Sequence, residues 1–210
     1  MTAAPSDAVR AGRVRPDRRA VRSAGAVRVE GISNFSLVAR FSAGSNQRGR
    51  TVVTTKNDFT QDEWNRVRRA PLVAGLAISL ADPGGPIETA KESMATLKNA
   101  TNPPSREQLL SEVALDIQEL AQQRTNPLKG FKPAGPNPGE GVLEELRGVV
   151  AIVAAKATAE ESAAFGTWLV TAAQAAADAA KDGGFMGFGA QQVSDREQAM
   201  IDKVTEAVTG

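Results

Sequence analysis

Apolar residues recur along positions 57–210 at the spacing of helices, and a similar polar signature precedes several of these runs. Four times a Ser or Thr stands three residues ahead of a Glu or Gln: Thr60/Glu63, Ser105/Gln108, Thr158/Glu161 and Ser194/Glu197. In such a capping box the hydroxyl accepts a bond from a backbone N–H that the helix leaves unpaired, and the longer side chain reaches back to the cap's own N–H. The first predicted helix opens at Thr60, with Trp64, Val67, Leu72, Leu76 and Leu80 on its buried side. Pro71 either kinks it or starts a second segment, and Asp82-Pro83-Gly84-Gly85-Pro86 ends it. The second runs from Pro86 to about Asn99 with an amphipathic stripe of Ile87, Ala90, Met94 and Leu97 at steps of three and four. Ser105 is expected to cap the third, which buries Leu109, Leu110, Val113, Ile117 and Leu120 and leaves Glu107, Glu112, Asp116 and Glu119 on its wet side.

Residues 126–141, NPLKGFKPAGPNPGEG, read as one long Pro/Gly-rich loop, a semi-rigid spacer that Phe131 could anchor. The fourth helix is expected from about Gly141 to Ala157. Its Val142, Leu143, Leu146, Val149, Val150, Ile152 and Val153 make it apolar on most sides, so it is placed at the centre of the bundle. Thr158 caps the fifth, which carries Phe165, Trp168, Leu169 and a series of alanines that admit a close neighbour. The tight Ala157-Thr158 junction predicts an antiparallel hairpin of these two helices. Ser194 caps the last, with Met200, Ile201, Val204, Ala207 and Val208. The pattern thus specifies an all-α bundle of five to six helices over residues 57–210, preceded by a basic, largely unstructured segment at 1–56.

Composition narrows the chemistry. The chain has 210 residues, 41% hydrophobic but only 4% aromatic, and contains no Cys, His or Tyr. Without imidazole or thiol there is no ordinary zinc site and no Ser-His-Asp or Cys-His arrangement, leaving carboxylates, Lys or an oxygen-ligated Mg or Ca site. An enzyme is therefore the less favoured reading, and no cofactor is implied. The apolar stretch from Ala70 to Ala81 is too short to span a membrane.

Charge divides the chain. Residues 1–56 hold 11 Lys/Arg against 3 Asp/Glu, a net of +8, while the remainder is net −7. Four readings of the basic segment compete. One is a solvated tail. A second is a nonspecific nucleic-acid arm using Arg10, Arg13, Arg15, Arg18, Arg19 and Arg22. The others are an Arg-rich transit peptide, or translated upstream sequence ahead of a start near Val53.

Gly183-Gly184-Phe185-Met186-Gly187-Phe188-Gly189 fits neither a dinucleotide fingerprint nor a P-loop. It reads as a tight connection whose phenylalanines plug the bundle, or as a contact loop offering Phe185, Met186 and Phe188 to a partner. Asp178, Asp182, Asp195 and Glu197 flank it and could gather a hard cation, though Asp195 and Glu197 also suit a helix start. The carboxylate pairs Glu88/Glu92, Glu144/Glu145 and Glu160/Glu161 read as solvated faces, and Arg66, Arg68 and Arg69 as a basic patch too small for nucleic acid. Trp64 and Trp168 read as core.

The stretch from Phe165 to Val208, with WLVTAAQAAADAAKDGGFMGFGAQQVSDREQAMIDKVTEAV, resembles the tail of uncharacterised all-helical bacterial proteins, and DFTQDEWNRVRRAPLVAGLAISLADPGGPI resembles their start. Asp182-Gly183-Gly184 followed by Val193-Ser194-Asp195-Arg196-Glu197 is similar to tellurite-resistance B-like helical domains, which place acidic residues near such turns; here GFMGFGAQQ separates the two parts. The resemblance implies a bacterial cytosolic bundle and transfers no activity. The resulting expectation is a cytoplasmic, non-enzymatic helical interaction or stress-associated protein, which binds an unidentified protein or itself through the Gly/Phe-rich loop. The alternative is a carboxylate-based divalent-metal protein or metal-dependent enzyme.

Overall fold

Six α-helices and one 3-10 turn make up the secondary structure of residues 53–181 and 193–210, the parts of the chain that the computed structural model describes. The fold is all-α, with no strand among the described residues. The elements are a 3-10 turn at Lys56–Asp58, then α1 (Gln61–Ala81), α2 (Pro86–Ala100), α3 (Gln108–Gln122), α4 (Pro138–Ala154), α5 (Ala159–Lys181) and α6 (Asp195–Thr209). The basic residues 1–52 and the segment 182–192 lie outside the described residues.

Three of the four capping boxes form. The Thr60 hydroxyl accepts from Glu63 N while Glu63 takes the Thr60 N–H at 2.7 Å. Thr158 and Glu161 exchange the same pair of bonds, and so do Ser194 and Glu197. The fourth does not form. α3 begins at Gln108 with Glu107 at its cap, and no side chain closes it. Gln108 points down the helix instead, donating to Glu112 at 2.7 Å, which leaves the buried Ser105 hydroxyl without a partner.

Two helices share the centre. α1 and α5 each touch all of the other helices. In α1 the run Ala70-Pro71-Leu72-Val73-Ala74-Gly75 is buried on every side. Pro71 neither splits nor ends the helix; its missing N–H removes one bond to the Val67 carbonyl within an unbroken element. In α5 the small Ala172, Ala173, Ala176 and Ala177 are fully buried, letting neighbouring backbones approach. α4 is not central. Its Ala151, Ala154 and Ala155 face solvent, and it packs chiefly on α1 and α6 rather than forming a hairpin with α5. Val142, Leu143, Leu146, Val149 and Val153 mark one buried face, Val150 and Ile152 are half-covered at its edge, and the alanines opposite are small side chains that water tolerates.

Residues 126–141 are not a spacer. Asn137 accepts from Gly139 N at 3.1 Å and, with Pro138 in the first turn, starts α4 earlier than the sequence pattern implies. Leu128 and Phe131 pack on the core, and Phe131 lies under the Arg69 guanidinium at 5.0 Å. Gly141 lets α4 cross this loop: a Cβ there would come within 2.2 Å of the Ala134 carbonyl oxygen. α3 ends in a Schellman motif, with Arg124 N donating to the Ala121 carbonyl and Thr125 N to that of Leu120. The left-handed residue of that motif is Arg124, at φ 53°, where glycine is usual.

Both tryptophans are buried with their indole N–H satisfied. Trp64 donates to Asp116 at 2.6 Å, pinning α1 to α3, and Trp168 donates to the Asn99 carbonyl at 3.2 Å, pinning α5 to the end of α2. The chain is already held at Thr54. Its N–H and hydroxyl reach the Glu161 carboxylate at 3.2 and 2.6 Å.

Candidate functional site

The orientation of α2 sets the character of the surface. Its apolar stripe points outward: Ile87 and Met94 are each 73% exposed, Ala90 is exposed and Leu97 is only partly covered. The buried face carries Glu92, Thr96 and Ala100, nearly opposite on the helical wheel. Two contacts explain the rotation. Gly75 of α1 leaves a notch that the Thr96 side chain fills, so that a Cβ on Gly75 would lie 2.3 Å from Thr96 Oγ1 and Cγ2. One turn away, the Ser79 hydroxyl donates to the Glu92 carboxylate, which is only 2% exposed. A small polar face fits closely against α1 and α5, and the bulkier apolar side is left to solvent.

Two of the depressions that border α2 lie toward α3 and toward α1. An open trough of about 520 Å³ runs between Met94, Leu97 and Lys98 on one side and Gln118, Ala121 and Gln122 of α3 on the other. Leu115, 61% exposed, sits at helical spacing from Gln118 and Gln122 on that same side of α3. Met94 and Leu97 supply the apolar wall of the trough on the α2 side. The second depression, about 370 Å³, lies between α1 and α2 and is more enclosed. Leu72, Leu76, Leu97 and Leu128 line one end, while Ser79, Thr89 and Ser93 line the other.

The carboxylates do not behave as solvated pairs. In each of the three pairs one member stays out (Glu88, Glu144, Glu160) and one turns in (Glu92, Glu145, Glu161). Glu88 takes the Gly85 N–H at 2.7 Å and so helps start α2. Glu145 bridges α4 to α1, taking Arg66 Nη2 and Arg69 Nη2 at 2.8 Å each. Burial pushes the Glu145 carboxyl up, but the hydrogen bonds and charges of Arg66 and then Arg69 outweigh it and hold its pKa below the ordinary range. Asp116 is likewise not a wet-side residue: it accepts from Trp64 and from Lys56 at 2.8 Å, with Arg68 at 3.9 Å. The three arginines of α1 thus face acids of other helices, which removes them as a free cationic patch.

Phe185, Met186 and Phe188, the loop residues expected to meet a partner, lie outside the described residues, as does Asp182. Of the other carboxylates expected to hold a metal, Asp178 accepts from Gln174 at 3.1 Å along α5, Asp195 is exposed in the first turn of α6, and buried Glu197 takes the Ser194 N–H at 2.8 Å. Among the described residues no three His, Cys, Asp or Glu side chains come together as a metal site. Residue pattern alone did not point to the α2–α3 trough or the α1–α2 cleft; the signal available was the small Thr96, which fills the notch at Gly75. Comparison with protein families, curated proteins and solved structures finds no match to this chain.

Proposed function

We propose that this chain is a non-enzymatic helical interaction protein of the bacterial cytoplasm, which works by burying apolar helix surface and the Gly/Phe-rich loop against a partner. The observation that carries the reading is the outward apolar stripe of α2, with the open trough beside Met94 and Leu97. A helix that turns Glu92 inward and Ile87 and Met94 outward leaves unburied the surface that most favours association. The trough beside Met94 is open along its length, the form in which a partner's helix or extended segment is received. Phe185, Met186 and Phe188 are assigned to the same task from their sequence. The absence of His and Cys from the chain also favours binding over acid–base or thiol chemistry.

The test compares wild type with Ile87→Asp/Met94→Asp and with Phe185→Ser/Phe188→Ser. Both side chains of the first variant are mostly exposed, so its unfolding midpoint should match wild type while cross-linked partners, or the protein's own oligomers in sedimentation, are lost. Retention of the same partners by both variants would remove the interaction reading.

A further inference from the structure

The cleft between α1 and α2 has a built polarity. The two helices are joined by the short turn 82–85 and run antiparallel, so Ser79 lies across from Glu92 while Gly75 lies across from Thr96. Leu72, Leu76, Leu97 and Leu128 therefore collect at one end, which Asn126-Pro127-Leu128 closes. The hydroxyls of Ser79, Thr89 and Ser93 collect at the other, where α2 begins. None of the lining residues is charged. The Glu92 carboxylate lies behind the hydroxyl end and already receives the Ser79 hydroxyl proton. The lone pairs of Ser79 are thereby left to accept from a guest.

We propose that this cleft binds a neutral, straight-chain aliphatic alcohol, its tail toward Leu128 and its hydroxyl donating at the Ser79, Thr89 and Ser93 end. The volume lies at the lower edge of the range for small-molecule sites. From Leu72 to Ser79 the helix rises about 10 Å, the length of roughly eight methylene groups. A medium-length chain fits that span. A bulky ring system does not match a slot between two close helices, and the all-neutral lining offers no counter-ion to a charged head group. The proposal uses α2's inner edge and does not depend on the outward stripe or its partner.

The full-length protein is titrated with 1-butanol, 1-hexanol, 1-octanol and 1-decanol, following backbone amide shifts by NMR. Affinity should rise about fourfold per methylene up to octanol and then level off, because the cleft ends at Leu128. The shifted amides should be Gly75, Ser79, Thr96 and Leu128. Octanoate and octylammonium should bind more weakly than octanol. Ser93 is exposed at the mouth, so Ser93→Trp should keep the wild-type circular dichroism spectrum and weaken octanol by about tenfold or more. Any of four results overturns the proposal: no shift at the solubility limit, shifts confined to other residues, a charged octyl analogue binding as tightly as octanol, or unchanged octanol affinity in folded Ser93→Trp. If Ser93→Trp fails to fold, the wild-type shift map and the charged analogues decide the matter alone.

Discussion

Replacing Glu161 with Ala should destabilise the bundle far more than its place in a helix's first turn suggests. The carboxylate is 6% exposed and serves three donors: Thr158 N at 3.1 Å, Thr54 N at 3.2 Å and the Thr54 hydroxyl at 2.6 Å. Thr54 is buried, so its N–H cannot turn to water when the acceptor is removed, and its hydroxyl is left with only the long bond to the Lys156 carbonyl at 3.5 Å. Each stranded polar group costs about 1–3 kcal/mol, and loss of the capping box adds about 1 kcal/mol. Removing a desolvated carboxylate returns part of this, which leaves a net loss of about 3 kcal/mol. For a domain of this size that lowers the midpoint of thermal unfolding by about 10 °C. Glu161→Gln keeps one acceptor oxygen and should lose about half as much. Urea unfolding, followed by tryptophan fluorescence and far-ultraviolet circular dichroism, measures both variants. If Glu161→Ala stays within about 0.5 kcal/mol of wild type, the tie between Thr54 and the start of α5 is not made in solution.

Gly75→Ala should cost about 1–2 kcal/mol despite alanine's better helix propensity, because its Cβ would press on Thr96; Thr96→Ala should restore stability in the double variant. A Gly75→Ala variant that gains stability by itself would show the notch to be empty. Arg124→Gly should stabilise by up to about 1 kcal/mol in urea unfolding, because it relieves a left-handed backbone at the end of α3; no gain would mean that the Arg124 backbone is not held there. Glu145 has a lowered pKa, so its contribution is present above the unfolded value near 4.5 and is lost as pH falls through the lower folded value. Glu145→Gln should therefore be less stable than wild type at neutral pH and converge with it as the pH falls through the lowered folded value. Parallel stability curves across that window would show that Arg66 and Arg69 do not hold the carboxylate.

The sequence made element identity legible because caps and breakers are local. Thr60, Thr158 and Ser194 marked three helix starts with their own bonds, and Asp82-Pro83-Gly84-Gly85-Pro86 stopped α1 through backbone restriction alone. Orientation was harder to read. The apolar stripe of α2 identified a helix but not its inward face, because that face was chosen by a notch at Gly75, twenty-one residues before Thr96. α4 looked central because Val150 and Ile152 widen its apolar face, but both are only half-covered, whereas close packing at the centre favours the small side chains of α1 and α5. The inward carboxylates Glu92, Glu145 and Glu161 could not be told from their exposed neighbours, since each differs from its neighbour only in which distant donor it meets: Ser79, Arg66 with Arg69, or Thr54. The α2–α3 trough and the α1–α2 cleft follow from that same rotation and share its invisibility in the residue pattern.

The chain contains no cysteine, so single thiols can report which side of α2 meets water. Ile87→Cys, Met94→Cys, Thr96→Cys and Ala100→Cys would be labelled in the folded protein with a thiol reagent, and each rate divided by its rate in urea. Ile87→Cys and Met94→Cys should react at nearly their unfolded rates, while Thr96→Cys and Ala100→Cys should be slowed by about a thousandfold or more, as expected for sites exposed only by opening of the bundle. Protection of positions 87 and 94 in the monomer, with free reaction at 96 and 100, would mean that α2 faces the other way.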